Sequence, residues 1–318
     1  MKISIIIPIY KAKCVIERCV RSLMEQTMIE DIEYIFINDC SPDNSIDILK
    51  QCVSCYPNRK HQVTILNNDC NLGPSETRKK GISVATGTYL GFCDADDWVE
   101  PTMYKSLIDA SEDGKKDIVV SNYYCEKVDG QEIFNIVSSP SPHDALSHMD
   151  DWHHFSYAMW NQIIRKSILE EQIQFIYSTK FREDTYLMMR CYYYAISISF
   201  VKKAFYHYNL MGTESLIHSR DMTQKGWLEQ KENTDRIVSL LLSDQSHNKF
   251  TRAINCFKFA LKLEYKDSFL SLRDFYYTYR ESHRDGIRKD STNVSLKNKI
   301  MLNLVYNTNY PLFYLLTK

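Results

Sequence analysis

Apolar and polar positions follow two rhythms through the first half of the chain. Short apolar-rich runs at residues 3–7, 33–37, 62–66 and 88–92 have the length of strands, while 15–28, 43–55 and 74–85 place their apolar residues at helical spacing. Strand and helix alternate through four βα units, which predicts a mainly parallel sheet covered by helices on both faces. After Pro101 the rhythm changes. Residues 117–120 read as a strand, and 122–137, interrupted by Asp129-Gly130, as a hairpin whose turn residues tolerate positive φ. Residues 138–154, rich in Ser, Pro, His and Asp, read as a loop with a short helix. A helix is expected over 182–195, its acidic start suited to the helix dipole, and beyond Gly226 the spacing is again helical.

In open α/β sheets ligands bind beyond the carboxyl ends of the strands. The residues just after each expected strand are Pro8-Ile9-Tyr10, then Asn38-Asp39-Cys40-Ser41-Pro42-Asp43, then Asn67-Asn68-Asp69 with Asn71-Leu72-Gly73, and finally Asp94-Ala95-Asp96-Asp97. Turn-forming and acidic residues thus recur at one sheet edge. The last group is the most informative, because three carboxylates in four residues repel one another unless a cation offsets them. Oxygen ligands suit Mn²⁺ or Mg²⁺, and Mg²⁺ usually takes one or two protein carboxylates and leaves its other positions to phosphate and water. A phosphorylated substrate follows, with a nucleotide derivative the natural choice. The plain alternative is an acidic turn before a helix near Pro101.

Composition narrows this without redirecting it. With 318 residues and average hydrophobic and charged fractions, the chain can bury a substantial core. A formal net charge of −1 gives no general attraction to nucleic acid. The ten cysteines suggest no disulfide framework, since Met1-Lys2 leads straight into residues 3–8, which read as a strand rather than a secretory leader. Reduced thiols and a cytoplasmic location are the expectation. Cys52-Val-Ser-Cys55 stands without a second pair at metal spacing and reads as two helix-face thiols. No apolar stretch approaches the ~18 residues of a membrane span. Residues 291–318 mix Leu, Ile, Tyr and Phe with lysines, and fit either a helix packed on the protein or a peripheral membrane contact.

The ordered set Ser4-Ile-Ile-Ile-Pro-Ile-Tyr10, Ile37-Asn-Asp-Cys-Ser-Pro-Asp-Asn-Ser45, Asn71-Leu-Gly73 with Thr77-Arg-Lys-Lys-Gly81, Ala85-Thr-Gly-Thr-Tyr89 and Asp94-Ala-Asp-Asp97 resembles a family 2 glycosyltransferase of the GT-A fold. Looser matches continue through Met159-Trp-Asn-Gln-Ile-Ile-Arg165, Phe175, Arg182-Glu-Asp-Thr185, Phe205-Tyr-His-Tyr208 and Ser215, similar to the acceptor side of bacterial members that build surface polysaccharides. The resemblance implies a Rossmann-like α/β fold with a mixed, mainly parallel sheet flanked by helices. Residues 1–220 would form the transferase domain, with 1–100 binding the nucleotide sugar and 101–220 the acceptor, and 221–318 a helical C-terminal region.

It also implies roles. Asp39 would bond the base of a nucleotide, with Pro8 and Tyr10 shaping that pocket, although Asp39 also suits an Asx-turn and Tyr10 a core position. Asn71, Gly73 and Arg78 would border the donor, Arg78 meeting the pyrophosphate unless it lies on a solvated helix face. Asp94 and Asp96 would bind ribose and metal, with Mn²⁺ or Mg²⁺ as cofactor. Asp184, assisted or replaced by Glu183, would act as catalytic base. Trp160 and Asp97 would contact the acceptor; Trp98 would stack on a sugar or simply pack, and His207 would approach the diphosphate. The implied activity is metal-dependent, inverting transfer from a nucleotide diphosphate sugar, a UDP-sugar in the first place, to a glycan or lipid-linked glycan. The rivals are a sugar nucleotidyltransferase, which would need a Gly-rich phosphate loop after the first strand, and a catalytically silent binding subunit.

Overall fold

In the computed structural model, residues 2–174, 182–211, 222–243, 248–265, 268, 274, 277–282 and 285 are described. The tail at 291–318, Phe175 and Ser215 lie outside these residues. Two compact units are present, one of residues 1–145 with 152–218, the other of 146–151 with 219–318.

The first unit is built on a nine-stranded sheet. Strands β1 (Ile3–Ile9), β2 (Ile32–Asn38), β3 (Val63–Asn67) and β4 (Tyr89–Phe92) alternate with helices α1 (Ile16–Met24), α2 (Ser45–Ser54) and α3 (Gly73–Val84), close to the expected bounds. They lie in the order β3-β2-β1-β4, all parallel. β1 is central and buries every residue except Pro8, which is partly exposed. Proline is tolerated there because β4 ends opposite Ile6, so the strand edge past that point carries no ladder for Pro8 to break.

Beyond β4 the register changes. β8 (Gln162–Arg165) runs antiparallel to β4, and β6 (Ile118–Lys127) antiparallel to β8. β9 (Ile198–Asn209) then lies parallel to β6, and β5 (Trp98–Val99) closes the order antiparallel to β9. The parallel sheet expected from sequence is thus extended by a second, mixed half. The strand and hairpin expected separately over 117–137 are one ten-residue strand, β6, with β7 (Gly130–Phe134) folded back on it. Helices α4 (Met103–Asp109), α6 (Lys166–Ile173) and α7 (Glu183–Tyr194) complete this unit, with α5 (Pro142–Leu146) up to Ala145.

Two glycines show why the helices and turns sit so close to the sheet. A Cβ on Gly81 would come within 2.7 Å of Ile6 Cγ2, so α3 lies on β1 only with glycine there. A Cβ on Gly87 would stand 2.6 Å from the carbonyl carbon of Ile3 and the amide nitrogen of Ser4. At that turn the Gly87 amide donates to Ser4 Oγ, which donates in turn to Glu33, while Thr86 donates to the same carboxylate. The entry to β4 is thereby fixed against β1 and β2.

In the second unit α8 (Gln224–Leu242) and α9 (Asn248–Glu264) are amphipathic, and Trp227, Leu261, Tyr265 and Tyr279 form an apolar cluster. None of the ten cysteines, all of them among the described residues, forms a disulfide. Among the described residues no helix is long and apolar enough to cross a membrane.

Gly87→Ala is expected to cost about 1–3 kcal/mol, the range for overpacking a site that cannot relax. A urea midpoint equal to the parent's would show that the turn yields more easily than its backbone contacts imply.

Candidate functional site

The carboxyl ends of β1, β2 and β4 meet the start of α3, and most of the residues singled out in the sequence gather there. Asp39 follows β2 and is buried. Its Oδ1 accepts from the Leu72 amide and from Asn68 Nδ2, both at 2.8 Å, and Oδ2 accepts from the Gly73 amide at 2.9 Å. The carboxylate therefore caps α3, a helix whose own N-cap side chain makes no such bond. The side-chain bonds of that turn come from its neighbours instead: Asn38 Oδ1 accepts from the Ser41 amide, and Asp43 Oδ1 accepts from the Ser45 amide two residues on, the Asx-turn spacing. Oδ2 of Asp39 holds a single bond and retains acceptor capacity for a ring N–H. Asn71 is exposed beside it and donates to the Asp39 carbonyl at 3.4 Å. Tyr10 is 44% exposed at the end of β1, not in the core, with the Lys11 ammonium 5.3 Å from its ring centre.

Arg78 differs most from its expected surroundings. It is neither on a solvated face nor free for a ligand: its guanidinium forks between Asp94 Oδ1 at 2.9 Å and Glu183 Oε1 at 2.8 Å. One cation thus joins the loop after β4 to the first turn of α7, whose Glu183 lies 105 positions beyond Arg78 in the chain. The chain enters α7 through Arg182 in the left-handed region, φ 65, a conformation that costs energy in a non-glycine residue.

The acidic loop itself divides in two. Asp97 is buried and turned away, accepting from the Tyr206 hydroxyl at 2.6 Å and the Asn209 amide at 2.8 Å. It ties the loop to β9 and presents neither oxygen to an acceptor or a metal, which corrects the acceptor-binding role expected for it. Asp96 is exposed, and Asp94 Oδ2 has no partner among the described residues. Although the Asp96 side chain reaches solvent, the protein crowded around it and the charge of Asp94 push its carboxyl up to about 6. Asp184 goes further: burial first, then Glu183, lift it to about 7 against the pull of Arg78. Its Oδ1 accepts from the Thr185 amide at 2.6 Å, and Oδ2 has no hydrogen-bond partner among the described residues.

This donor set fits a hard cation held by one or two carboxylates, Asp96 and Asp94, whose mutual repulsion such an ion would relieve. It does not form a cage: among the described residues no group of three or more His, Cys, Asp or Glu side chains is arranged around a metal position.

Other expectations resolve as packing. Trp98 stacks on His207 with centroids 4.8 Å apart, and the Arg18 guanidinium lies 3.4 Å from the Trp98 ring centre. Tyr124 covers the other face of His207, so Trp98, His207 and Tyr124 form a ladder across β5, β9 and β6. The two ring nitrogens of His207 face Glu126 at 2.7 Å and Glu100 at 3.0 Å. Neither is left for a diphosphate, so His207 is a structural residue. In the segment expected to contact the acceptor, Arg165 pairs with Asp117 at 2.7 Å and Asn161 is buried with its amide on the Ser121 carbonyl. Trp160 is partly exposed and stacks on Tyr206 and Tyr208. Tyr208 carried no role in the sequence reading, although the alternation of Tyr206 and Tyr208 around a buried His207 is the period of a strand with both tyrosines on one face.

After β1, where a nucleotidyltransferase would offer free amides to phosphate, those of Lys11, Ala12 and Lys13 donate to Ser41, Ser45 and Asp43.

Residues 4–173 match the family model described as glycosyl transferase family 2. A protein of Bacillus subtilis (strain 168) described as uncharacterized glycosyltransferase EpsJ is 29% identical over 214 residues, 65% of this chain and 60% of that protein. A Bacillus spizizenii protein described as poly(ribitol-phosphate) beta-glucosyltransferase is 36% identical over 122 residues, 38% of this chain and 19% of its own. The chain thus spans only part of these relatives' length. The crystal structure of Staphylococcus aureus TarS 1–349 with UDP-GlcNAc superposes with a TM-score of 0.66 at 17% identity, covering 99% of this chain and 90% of that one. That likeness concerns the fold, an α/β architecture with a mixed sheet. With more than half of its length inside the family match, the protein belongs to glycosyl transferase family 2.

Proposed function

We propose that the chain transfers a sugar from a nucleotide diphosphate, a UDP-sugar in the first place, to a hydroxyl of a glycan or lipid-linked glycan made for the bacterial cell surface. The observation that carries this reading is the Arg78 fork, which holds the acidic loop and the Glu183-Asp184 pair around one space at the carboxyl edge of the sheet. The poly(ribitol-phosphate) beta-glucosyltransferase among the relatives and the UDP-GlcNAc complex of TarS support the choice of substrates.

In this reading Asp39 receives the base, with Pro8 and Tyr10 beside it, and Asn71 and Gly73 border the nucleotide. Asp96 and Asp94 would hold Mn²⁺ or Mg²⁺, whose chemistry when bound is to offset the charge developing on the leaving diphosphate. Asp184 Oδ2 accepts the proton of the acceptor hydroxyl as that oxygen attacks the anomeric carbon and the bond to the diphosphate oxygen breaks. Attack from the opposite face inverts the configuration. A carboxylate lifted to about 7 is matched to proton transfer near neutral pH. Glu183, engaged by Arg78, positions Asp184 and is not itself the base. Trp160 offers an aromatic surface to the acceptor.

Incubation with Mn²⁺ and a panel of nucleotide sugars, read by mass spectrometry with crude glycolipid acceptors, should yield a glycosylated product. No turnover and no binding of any donor at millimolar concentration would defeat the proposal. Asp96→Ala should abolish metal-dependent donor binding.

Asp184→Asn should leave donor binding intact and remove turnover. In the parent, kcat/KM should rise through pH 7 as the base ionises. Because the folded-state value lies above the ordinary carboxylate value, ionising Asp184 weakens the fold as pH rises from about 4 to 7. Asp184→Asn is therefore expected to unfold at higher urea than the parent at pH 8. A variant that kept full rate would refute the base assignment.

Arg78→Met strands two partly buried carboxylates and should cost about 3–5 kcal/mol. A loss below 1 kcal/mol in urea unfolding would show that Asp94 and Glu183 reach solvent without it.

A further inference from the structure

Tyr206 and Tyr208 occupy alternate positions on β9, so their rings leave the strand on one face. Trp160 stacks on both, with centroids 4.4 and 5.2 Å away and interplanar angles of 14° and 23°. The two hydroxyls have different fates. That of Tyr206 donates to Asp97 Oδ2 at 2.6 Å and accepts from the Asp94 amide at 3.0 Å. That of Tyr208 has no hydrogen-bond partner among the described residues, although its ring is partly buried. The hydroxyl is not among the buried orphaned polar atoms of the described residues, so it reaches solvent, where a ligand can meet it.

Its position is fixed from three sides. Asn209, the next residue, donates its amide to Asp97 Oδ1 and its side chain to the Asp96 carbonyl at 3.1 Å. Cys125 on β6 pairs with Tyr208 across the sheet, and Trp160 limits the ring. Burial first, then the carboxylates of Asp97, Asp94, Asp96 and Asp184, hold the phenol well above its ordinary value. The hydroxyl is therefore a neutral donor at physiological pH, lying in the field of both the acidic loop and the proposed base.

We propose that Tyr208 is a binding residue for the sugar donor, its hydroxyl giving a hydrogen bond to an oxygen of the diphosphate while Trp160 holds its ring. This rests on the reading of the site as a nucleotide-sugar site. A diphosphate arriving at the Asp94–Asp97 loop meets a surface rich in negative charge. Of the nearby guanidiniums, Arg78 is held by Asp94 and Glu183, and Arg18 lies over the Trp98 ring with Nη2 3.4 Å from the Asp96 carbonyl. An unpartnered neutral donor on the strand bonded to that loop supplies what an anionic oxygen lacks there. The acceptor is the weaker candidate for this bond, because a neutral sugar hydroxyl gains less from the same donor.

Calorimetric titration of the full chain with UDP and with UMP, each in the presence of Mn²⁺, tests the assignment. Tyr208→Phe keeps the ring and its stacking and removes only the hydroxyl. It should weaken UDP about tenfold, the value of one hydrogen bond to a charged group, and leave UMP binding and the thermal midpoint as in the parent. Unchanged UDP affinity would overturn the proposal, and so would an equal loss for UDP and UMP, which would mean that the hydroxyl acts through the fold. A parent protein that bound none of UDP, GDP and dTDP would instead sink the nucleotide-sugar reading, and this inference with it.

Discussion

A single guanidinium reconciles five carboxylates. Asp94, Asp96 and Asp97 follow a buried strand, and Glu183 and Asp184 open a helix that the chain reaches much later. Brought together without compensation, these groups would repel one another strongly in a partly buried space. Arg78 bonds to one member of each group and so makes their meeting possible. Its planar fork suits the task, since a lysine would offer a single point of charge. The compensation is incomplete, as the raised values of Asp96 and Asp184 show. That residual negative charge is the physical basis for expecting a divalent cation at the loop and a base at the helix.

The second half of the sheet serves this arrangement. β9 runs beside the acidic loop, and Tyr206 and Asn209 take both oxygens of Asp97. The loop is thereby held by a strand more than a hundred positions away, with Asp96 exposed and Asp94 held at one oxygen by Arg78. On the opposite face the ladder of Trp98, His207 and Tyr124, closed by Glu100 and Glu126, locks β5, β9 and β6 in register. Polar groups that resemble site residues in the sequence are thus consumed in holding the site's shape.

Much of the first half was legible in the sequence, because doubly buried strands and amphipathic helices carry strong periodic signals, and β1 through β4 fall close to where those signals place them. β5, with two residues, and β8, with four, are too short to show a period. β9 mixes exposed Lys202 and Lys203 with buried aromatic residues and pairs through register shifts, so its alternation is broken where a reader would look for it. At the site, residue types were readable and partners were not. Sequence placed Arg78, Asp94 and Glu183 near a common edge, yet could not say that the arginine would bind the acids rather than a ligand. Nor could it show that Asp97 would be spent on Tyr206, a partner 109 residues distant. Such choices depend on which element packs beside which, information that local pattern does not hold.

The central claim is that the acids after β4 and those opening α7 enclose one donor site around a divalent ion. Anomalous diffraction from crystals grown with Mn²⁺ and UDP tests it most directly. The expected map has one strong peak against Asp96, with the diphosphate between it and Asp184. A peak away from that loop, or a nucleotide bound elsewhere on the protein, would contradict the account.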